Sequence, residues 1–443
     1  MDTNAPARTA VILGAGIAGL ATSRVLSDSF HVILVEPHAL PADDRPRGGV
    51  PQAHHLHGLN TRGLGFLEEL FPGLDDEVEN AGYAQLDPGR DALTCFPTGT
   101  GPLVDTDLRA RLSSRALLEA RMRARVLALP TVELRTGQRA TGLVTDSTGS
   151  TVRAVTTTGP DIRGDLIIDA TGRFSRLPRW LADAGLATPP TRTVDAGVGY
   201  ASALFEAPDR SWRGLIQPTL CPDRTRGAYI AHLTGRQWMV TLYGTCGDHP
   251  PTDMDGFRAF AETLDNPAVT ALFQDARPVS RIRRYIRTEN HFVDYHRMRA
   301  WPDRLLVIGD AACALNPVYG TGIGAAVEQA LLLRALLDRR TDLTGLARDF
   351  QRRLPRTTAY AWRMSTFQDA MWARHRTARP TRLDRAISWY LHGLYRAAVE
   401  DAEIMERFHQ VFHRAAPPTA LLSPRVIART FRGGRSTERA NRQ

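Results

Sequence analysis

The stretch Thr9-Ala10-Val11-Ile12-Leu13-Gly14-Ala15-Gly16-Ile17-Ala18-Gly19, with His31-Val32-Ile33-Leu34-Val35-Glu36 after it, decides the fold. It reads as an apolar strand, a glycine turn, a helix and a second apolar strand that ends on an acid. Gly14 lets the backbone turn sharply, Gly16 leaves room for a pyrophosphate, and Gly19 lets the helix pack closely on its strand. The pyrophosphate then meets the unpaired amides of the helix N-terminus. Glu36 stands 17 residues beyond Gly19, near the roughly 20 at which a carboxylate takes both ribose hydroxyls. An acid at that point disfavours a phosphorylated ribose. A glycine motif alone is weak, but these parts in register make a dinucleotide site.

That site suits either a nicotinamide cofactor or FAD, and a segment far downstream chooses between them. Residues 304–308 read as a buried strand, followed by Gly309-Asp310-Ala311-Ala312, then Asn316-Pro317-Val318-Tyr319-Gly320-Thr321-Gly322, then a helix over 323–337. An aspartate just past a strand end can bind a ribityl hydroxyl, and the Pro and Gly run lets backbone approach a flat ring. The helix N-terminus, worth roughly 0.3–2 kcal/mol, favours an anionic reduced flavin.

With these residues in place the chain resembles the FAD-dependent monooxygenases of the para-hydroxybenzoate hydroxylase type. Three signatures appear in order: Gly14 to Gly19, Asp169-Ala170-Thr171-Gly172-Arg173-Phe174-Ser175-Arg176, and Gly309-Asp310 with the Pro317 to Gly322 segment. The resemblance runs to about residue 340. It implies an α/β fold, with a Rossmann-like FAD-binding domain of GR2 type, an antiparallel β-sheet substrate domain and a C-terminal helical region. It assigns Gly14, Gly16, Gly19, Glu36, Asp169, Gly172, Arg176, Asp310, Pro317, Gly320 and Gly322 to cofactor handling. Arg115, in Leu112-Ser113-Ser114-Arg115, matches the arginine that contacts FAD in the family; an exposed helix arginine is the other reading. The middle motif departs from the form of the aromatic hydroxylases, which leaves its nicotinamide role open.

A narrower likeness lies in Pro51-Gln52-Ala53-His54-His55-Leu56-His57 and Pro178-Arg179-Trp180-Leu181. These are similar to bacterial relatives of squalene epoxidase, including the polyether epoxidases. Gln52, His55 and Pro317 are candidates on the reacting side of the flavin. The three histidines invite a metal reading, yet no acid or cysteine stands at ligand spacing, so no metal is expected.

Composition fits a cytoplasmic enzyme. All 56 basic residues are arginine and none is lysine. That excludes the related flavin-dependent halogenases, which rely on an active-site lysine. The net charge of +9 is spread along the chain, densest at 281–287 and near the C-terminus, which argues against nucleic-acid binding. Four cysteines form no C-x-x-C pair, so reduced thiols are expected. The first strand begins too early for a signal peptide, and no uncharged apolar run reaches the roughly 18 residues of a membrane span.

The expected organisation is interleaved. Residues 1–80, 105–185 and 290–345 make the FAD-binding domain, 81–104 and 186–289 the substrate sheet, 346–430 a helical region and 431–443 a disordered tail. Helices are expected at 61–71, 109–129 and 254–264, strands at 198–205, 227–233, 237–243 and 279–285, and a small meander over 132–168. Tyr200, Tyr229, Met239 and Tyr243 are candidates for the pocket wall, with plain core packing as the alternative. Leu383, Ile387, Tyr390, Leu391 and Leu394 keep helical spacing; core packing is the first reading of that face and peripheral membrane contact the second.

The resemblance implies a monooxygenase that passes one oxygen of O2 through a flavin hydroperoxide to a small hydrophobic substrate, with NADPH or NADH as reductant or reduced flavin supplied by a partner reductase. Epoxidation of an alkene in a polyketide or isoprenoid is the first expectation. Hydroxylation of an aromatic polyketide or phenol is the second, and a reductase of geranylgeranyl reductase type the third. A noncatalytic flavin-binding protein is a distant fourth. A carrier-bound substrate is a further expectation.

Overall fold

A computed structural model of the protein describes residues 8–377 and 380–432. Five parallel strands form its central sheet, in the order Leu305–Val307, Leu166–Asp169, Thr9–Leu13, His31–Glu36 and Val132–Thr136. The apolar runs of the first four follow from burial on both faces: Val11, Ile12, Leu34, Ile167 and Leu306 are all without exposure, whereas the edge strand Val132–Thr136 carries Glu133 and Arg135 and is half-buried. Leu13 is level with both Val35 and Asp169, and Asp169 with Val307. The Gly14 turn, Glu36, Asp169 and the Gly309 turn therefore leave one edge of the sheet, the carboxyl edge at which open α/β sheets take ligands. The helices Ile17–Leu26 and Gly322–Leu337 pack together on this sheet.

A second sheet of eight strands is built around Gly199–Glu206, Gln237–Gly244, Arg226–His232 and Gly214–Gln217, antiparallel in that order. Ala92–Phe96 extends it, but in parallel with Gly214–Gln217, so the sheet is mixed. Gln85–Leu86 pairs elsewhere, with Ala110–Ser114. The meander appears as Ala140–Thr145, Val152–Thr157 and Ile162–Arg163.

Three local expectations are corrected. The 109–129 segment is not one helix: Ala110–Ser114 is a strand between Leu56–Leu59 and Gln85–Leu86, and the helix is Arg115–Leu127. Two neighbouring strands satisfy its backbone, and serine has little helix preference to oppose them. Strand 279–285 is interrupted, leaving Arg277–Pro278 and Arg283–Tyr285. Phe431 is not part of a disordered tail: it belongs to the helix Pro424–Arg432 and rests on Trp389, ring centroids 4.9 Å apart. The remainder, 433–443, lies outside the described residues.

The C-terminal helices close over the second sheet. On Arg382–Glu400, Leu394 is buried and Ile387, Tyr390 and Leu391 are half-buried against the core. Only Leu383 of that face is exposed, at 68%. Packing accounts for the amphipathic pattern. Among the described residues no helix is long and apolar enough to cross a membrane.

Candidate active site

One cavity of about 520 Å³ runs from the carboxyl edge of the parallel sheet to the second sheet. Gly14, Gly16 and Glu36 line its nucleotide end, and Asp310, Pro317, Gly320 and Gly322 a further stretch of wall. Gln52, His55, Arg115, Gly172, Arg176, Tyr200 and Tyr229 line it as well. Gly14 adopts φ +100°, and a Cβ on Gly19 would lie 1.8 Å from the carbonyl oxygen of Gly14. Gly19 thus acts through packing, not by lining the cavity.

Glu36 is held by an amide and a cation. Its Oε2 accepts from the Ala15 amide at 3.0 Å and pairs with Arg47 Nη1 at 2.9 Å. Burial alone would raise its pKa, but Arg47 and the Ala15 amide together carry it below the usual value. Arg47 also pairs through Nε with Glu119, and Glu119 faces Arg115 at 3.6 Å. Arg115 Nη1 donates to Gln52 Oε1 at 3.3 Å, and Gln52 Nε2 donates to the Tyr285 hydroxyl at 3.3 Å. A chain of polar contacts therefore links the nucleotide end to the tyrosine wall. Arg115 is no exposed helix arginine: its side chain is 16% exposed.

Asp169 does not line the cavity. It is buried, and its Oδ1 accepts from the Thr171 amide at 2.9 Å and hydroxyl at 2.6 Å, while Ser175 also donates to it. Its work is to shape the Gly172 turn from behind. Asp310 differs. It lines the cavity and makes no hydrogen bond to protein among the described residues. Burial raises its pKa against the opposing pull of Arg173 and Arg115.

His55 Nδ1 lies 2.8 Å from Ser202 Oγ, which lies 2.7 Å from Thr241 Oγ1. His57 Nδ1 is 3.0 Å from the main-chain oxygen of His55. Burial pushes the pKa of both histidines down to about 3, so each is a neutral ring. Met239 packs with Ala231 and Leu233, and Tyr243 bonds to the Thr219 amide and the Gln217 carbonyl. Neither lines the cavity, so core packing describes both. Arg47, Tyr285 and Tyr319 do line it, as do Phe412 and His413 from the C-terminal region. No local motif flags these residues, because their partners come from distant segments.

A family model described as an FAD binding domain matches residues 7–339. The chain belongs to this FAD-binding family. It is an FAD-dependent monooxygenase. Protein Rv3254 of Mycobacterium tuberculosis (strain ATCC 25618 / H37Rv) is 33% identical over 404 residues, 85% of this chain and 82% of that one. FAD-dependent monooxygenase cctM of Talaromyces islandicus is 24% identical over 351 residues, 74% of this chain and 82% of that one. Among solved structures the flavin-dependent brominase Bmp2 superposes with TM-score 0.66 at 13% identity, over 98% of this chain and 99% of that one, a likeness of fold alone.

The monooxygenase's own residues fit FAD. A Cβ on Gly16 would meet only Arg47, at 3.4 Å, and one on Gly322 would meet nothing within 4 Å, so both backbones border open space. The N-terminal turn of Gly322–Leu337 borders the same space through Gly322 and Ile323, leaving amides free toward a partly anionic group. Asp310 offers carboxylate acceptors that no donor among the described residues uses. Among the described residues no group of three His, Cys, Asp or Glu side chains comes together as a metal site.

Proposed function

We propose that this FAD-dependent monooxygenase hydroxylates an aromatic ring that already carries a hydroxyl group, within a largely apolar molecule of the phenol or aromatic polyketide class. One observation carries the reading. Tyr200 lines the cavity at 4% exposure, and its hydroxyl has no hydrogen-bond partner among the described residues. Its ring is held edge-on by His55, centroids 4.7 Å apart, and flanked by Tyr285 at 5.5 Å. The hydroxyl is not sealed in the core, so a molecule in the cavity can supply the partner that the protein does not, a bond worth about 0.5–1.5 kcal/mol net. A phenolic oxygen pairs with it, whereas an isolated alkene does not. Apolar side chains at Leu86, Leu112 and Ile216, which also line the cavity, suit the rest of such a molecule. This ranks ring hydroxylation above alkene epoxidation.

Bound FAD, once reduced by NADPH or NADH, supplies the oxygen chemistry. The protein's part is to hold and to exclude. Glu36 with Arg47 takes the adenosine ribose, and Gly14, Gly16 and the helix amides take the pyrophosphate. Asp310 takes a ribityl hydroxyl, Arg115 anchors the middle, and Pro317, Gly320 and Gly322 lie against the ring. Gln52 and His55 stand on the reacting side, where neutral His55 orients Tyr200. The buried wall keeps water from the oxidant. With no lysine in the chain, halogenation lacks its carrier.

The test is incubation of the holoenzyme with NADPH, 18O2 and matched panels of phenols and alkenes. One heavy oxygen in a newly hydroxylated ring is the expected product. A labelled epoxide, or a saturated product without label, would overturn the reading.

A further inference from the structure

The end of the cavity away from the Pro317 segment is closed by residues that no cofactor motif contains. Strand Ala110–Ser114 leads up to Arg115, and at the usual strand rise it sets Ala110 roughly 13 Å from Ser114. Leu112 is level with Gly58, whose carbonyl oxygen lies 3.4 Å from the place a Cβ on Gly320 would take, and Ala110 is level with Leu86. Leu112 therefore stands near the Pro317 to Gly322 segment, while Ala110 and Leu86 mark the wall beyond it. Asp87, between the cavity-lining Leu86 and Pro88, bears through its charge on His409 and His413. The helix Ala402–Phe412 ends here, seated on strand Ala92–Phe96 through Phe408 and Phe96, ring centroids 5.1 Å apart. Phe412 and His413 complete the wall. Both lie beyond residue 339, where the match to the FAD-binding family ends.

These two residues are fixed from both sides. The Tyr360 hydroxyl donates to the Val411 carbonyl oxygen at 2.6 Å. Past the helix, the Arg414 amide donates to the Val411 carbonyl at 3.0 Å and the Ala415 amide to the Gln410 carbonyl at 2.8 Å, the paired bonds of a left-handed helix stop. Glycine usually fills the left-handed position of such a stop, yet here Arg414 takes it at φ +62°. A stop that had only to end the helix would gain nothing from an arginine. The side chain supplies the reason: Nη2 pairs with Glu328 at 3.2 Å, and the guanidinium lies over the Tyr360 ring, 4.6 Å from its centroid. Glu328 belongs to Gly322–Leu337, the helix whose first turn borders the cavity. One arginine thus ties the end wall to that helix.

We propose that Phe412 is the specificity-determining residue of this chamber, a stop that sets how long an apolar substrate can be, and that Arg414 is its positioning residue. A substrate whose hydroxyl meets Tyr200 extends its apolar remainder along Leu112 toward Leu86 and ends against Phe412. A side chain held on both flanks does not give way to a longer molecule, because close-packed walls resist overfilling. Each methylene that finds room raises affinity about fourfold, and the first that meets Phe412 reverses the gain. The inference rests on the reading above, since the contact at Tyr200 fixes the end from which length is counted.

The experiment uses oxidised holoenzyme without reductant, so that binding is read apart from turnover, and follows flavin fluorescence as 4-alkylphenols from methyl to decyl are titrated in. Native protein is compared with Phe412→Ala, Phe412→Trp, Arg414→Gly and Arg414→Lys, each checked for FAD content and melting temperature. Native affinity should climb with chain length and then break off. In Phe412→Ala the first phenol that native protein rejects should bind at least about tenfold more tightly, the gain of about two methylenes. In Phe412→Trp the break should come at a shorter chain; Phe412→Ala remains informative if that variant folds poorly. Arg414→Gly suits the left-handed position and should blur the break without lowering FAD affinity, and Arg414→Lys, which keeps a cation opposite Glu328, should keep it sharp. A break at one length in native protein and both Phe412 variants, or native affinity that rises through decyl, would overturn the stop and leave the hydroxylase reading intact. A profile that moves with Phe412 but not with Arg414→Gly would overturn the positioning role alone. Should phenols fail to bind where 1-alkenes succeed, the hydroxylase reading falls, and the alkene series decides the stop by the same comparison.

Discussion

At the scale of single residues, Gly16 and Gly19 share a motif but not a role. A Cβ at position 19 would stand 1.8 Å from a carbonyl oxygen, whereas one at position 16 meets only Arg47 at 3.4 Å. Gly19→Ala is therefore expected to yield insoluble or unfolded protein. Gly16→Ala should fold with apoprotein stability within about 1 kcal/mol of native yet bind FAD more weakly, as a flavin-fluorescence titration would reveal. Arg47 is a second such point. Its guanidinium, 8% exposed, lies between the carboxylates of Glu36 and Glu119, each 5% exposed. Arg47→Ala should cost about 3–5 kcal/mol, because it strands two buried acids, and urea denaturation would measure it. Tyr200→Phe should leave stability nearly unchanged and weaken phenol binding by about 0.5–1.5 kcal/mol; equal affinity in both proteins would count against a substrate hydroxyl at that site. The glycines were legible in the sequence because their constraint is local. Arg47 and the unpaired hydroxyl of Tyr200 were not, because what defines each is a partner, or its absence, brought in from elsewhere in the chain.

Elements show the same division. The apolar runs of the parallel sheet and the alternation of the second sheet could be read from hydrophobic period alone. The Ala110–Ser114 strand could not, since its conformation is dictated by the two strands beside it. Nor could the seat of the C-terminal helices, whose amphipathic faces do not say which surface they meet. In the structure Tyr395 stacks on Phe96 of the second sheet, centroids 4.4 Å apart and planes 16° from parallel. Tyr395 is 4% exposed and its hydroxyl accepts from Gln368 Nε2 at 3.0 Å. Tyr395→Ala should thus destabilise the protein by about 3–5 kcal/mol and loosen the helix Arg382–Glu400 first. Faster amide exchange along that helix than in the parallel sheet would be the sign.

For the molecule as a whole, buried histidines set the response to acid. Burial depresses His55, His57 and His413 to about 3 and His409 to about 4, from an ordinary 6.5. The native state then binds fewer protons than the unfolded chain below pH 6.5, so the stability these rings lend is complete above that pH and is lost as pH falls toward 4 and 3. Each contributes about 1.4 kcal/mol per pH unit. Buried acids run the other way: Asp369, lifted to about 6, is relieved as pH drops through that value, and Asp169, Asp310 and Glu328 are raised in the same direction, but the four rings carry the larger shifts between pH 7.5 and 5. The melting temperature should fall steadily from pH 7.5 to pH 5, and a flat profile would contradict the burial of these rings. Phe412 and His413 belong to the last helices of the chain, yet they wall the same chamber that Gly14 and Glu36 open. A nucleotide cradle folded without these residues would stand open to water on that side, so the chamber turns dry only when both parts of the chain have docked.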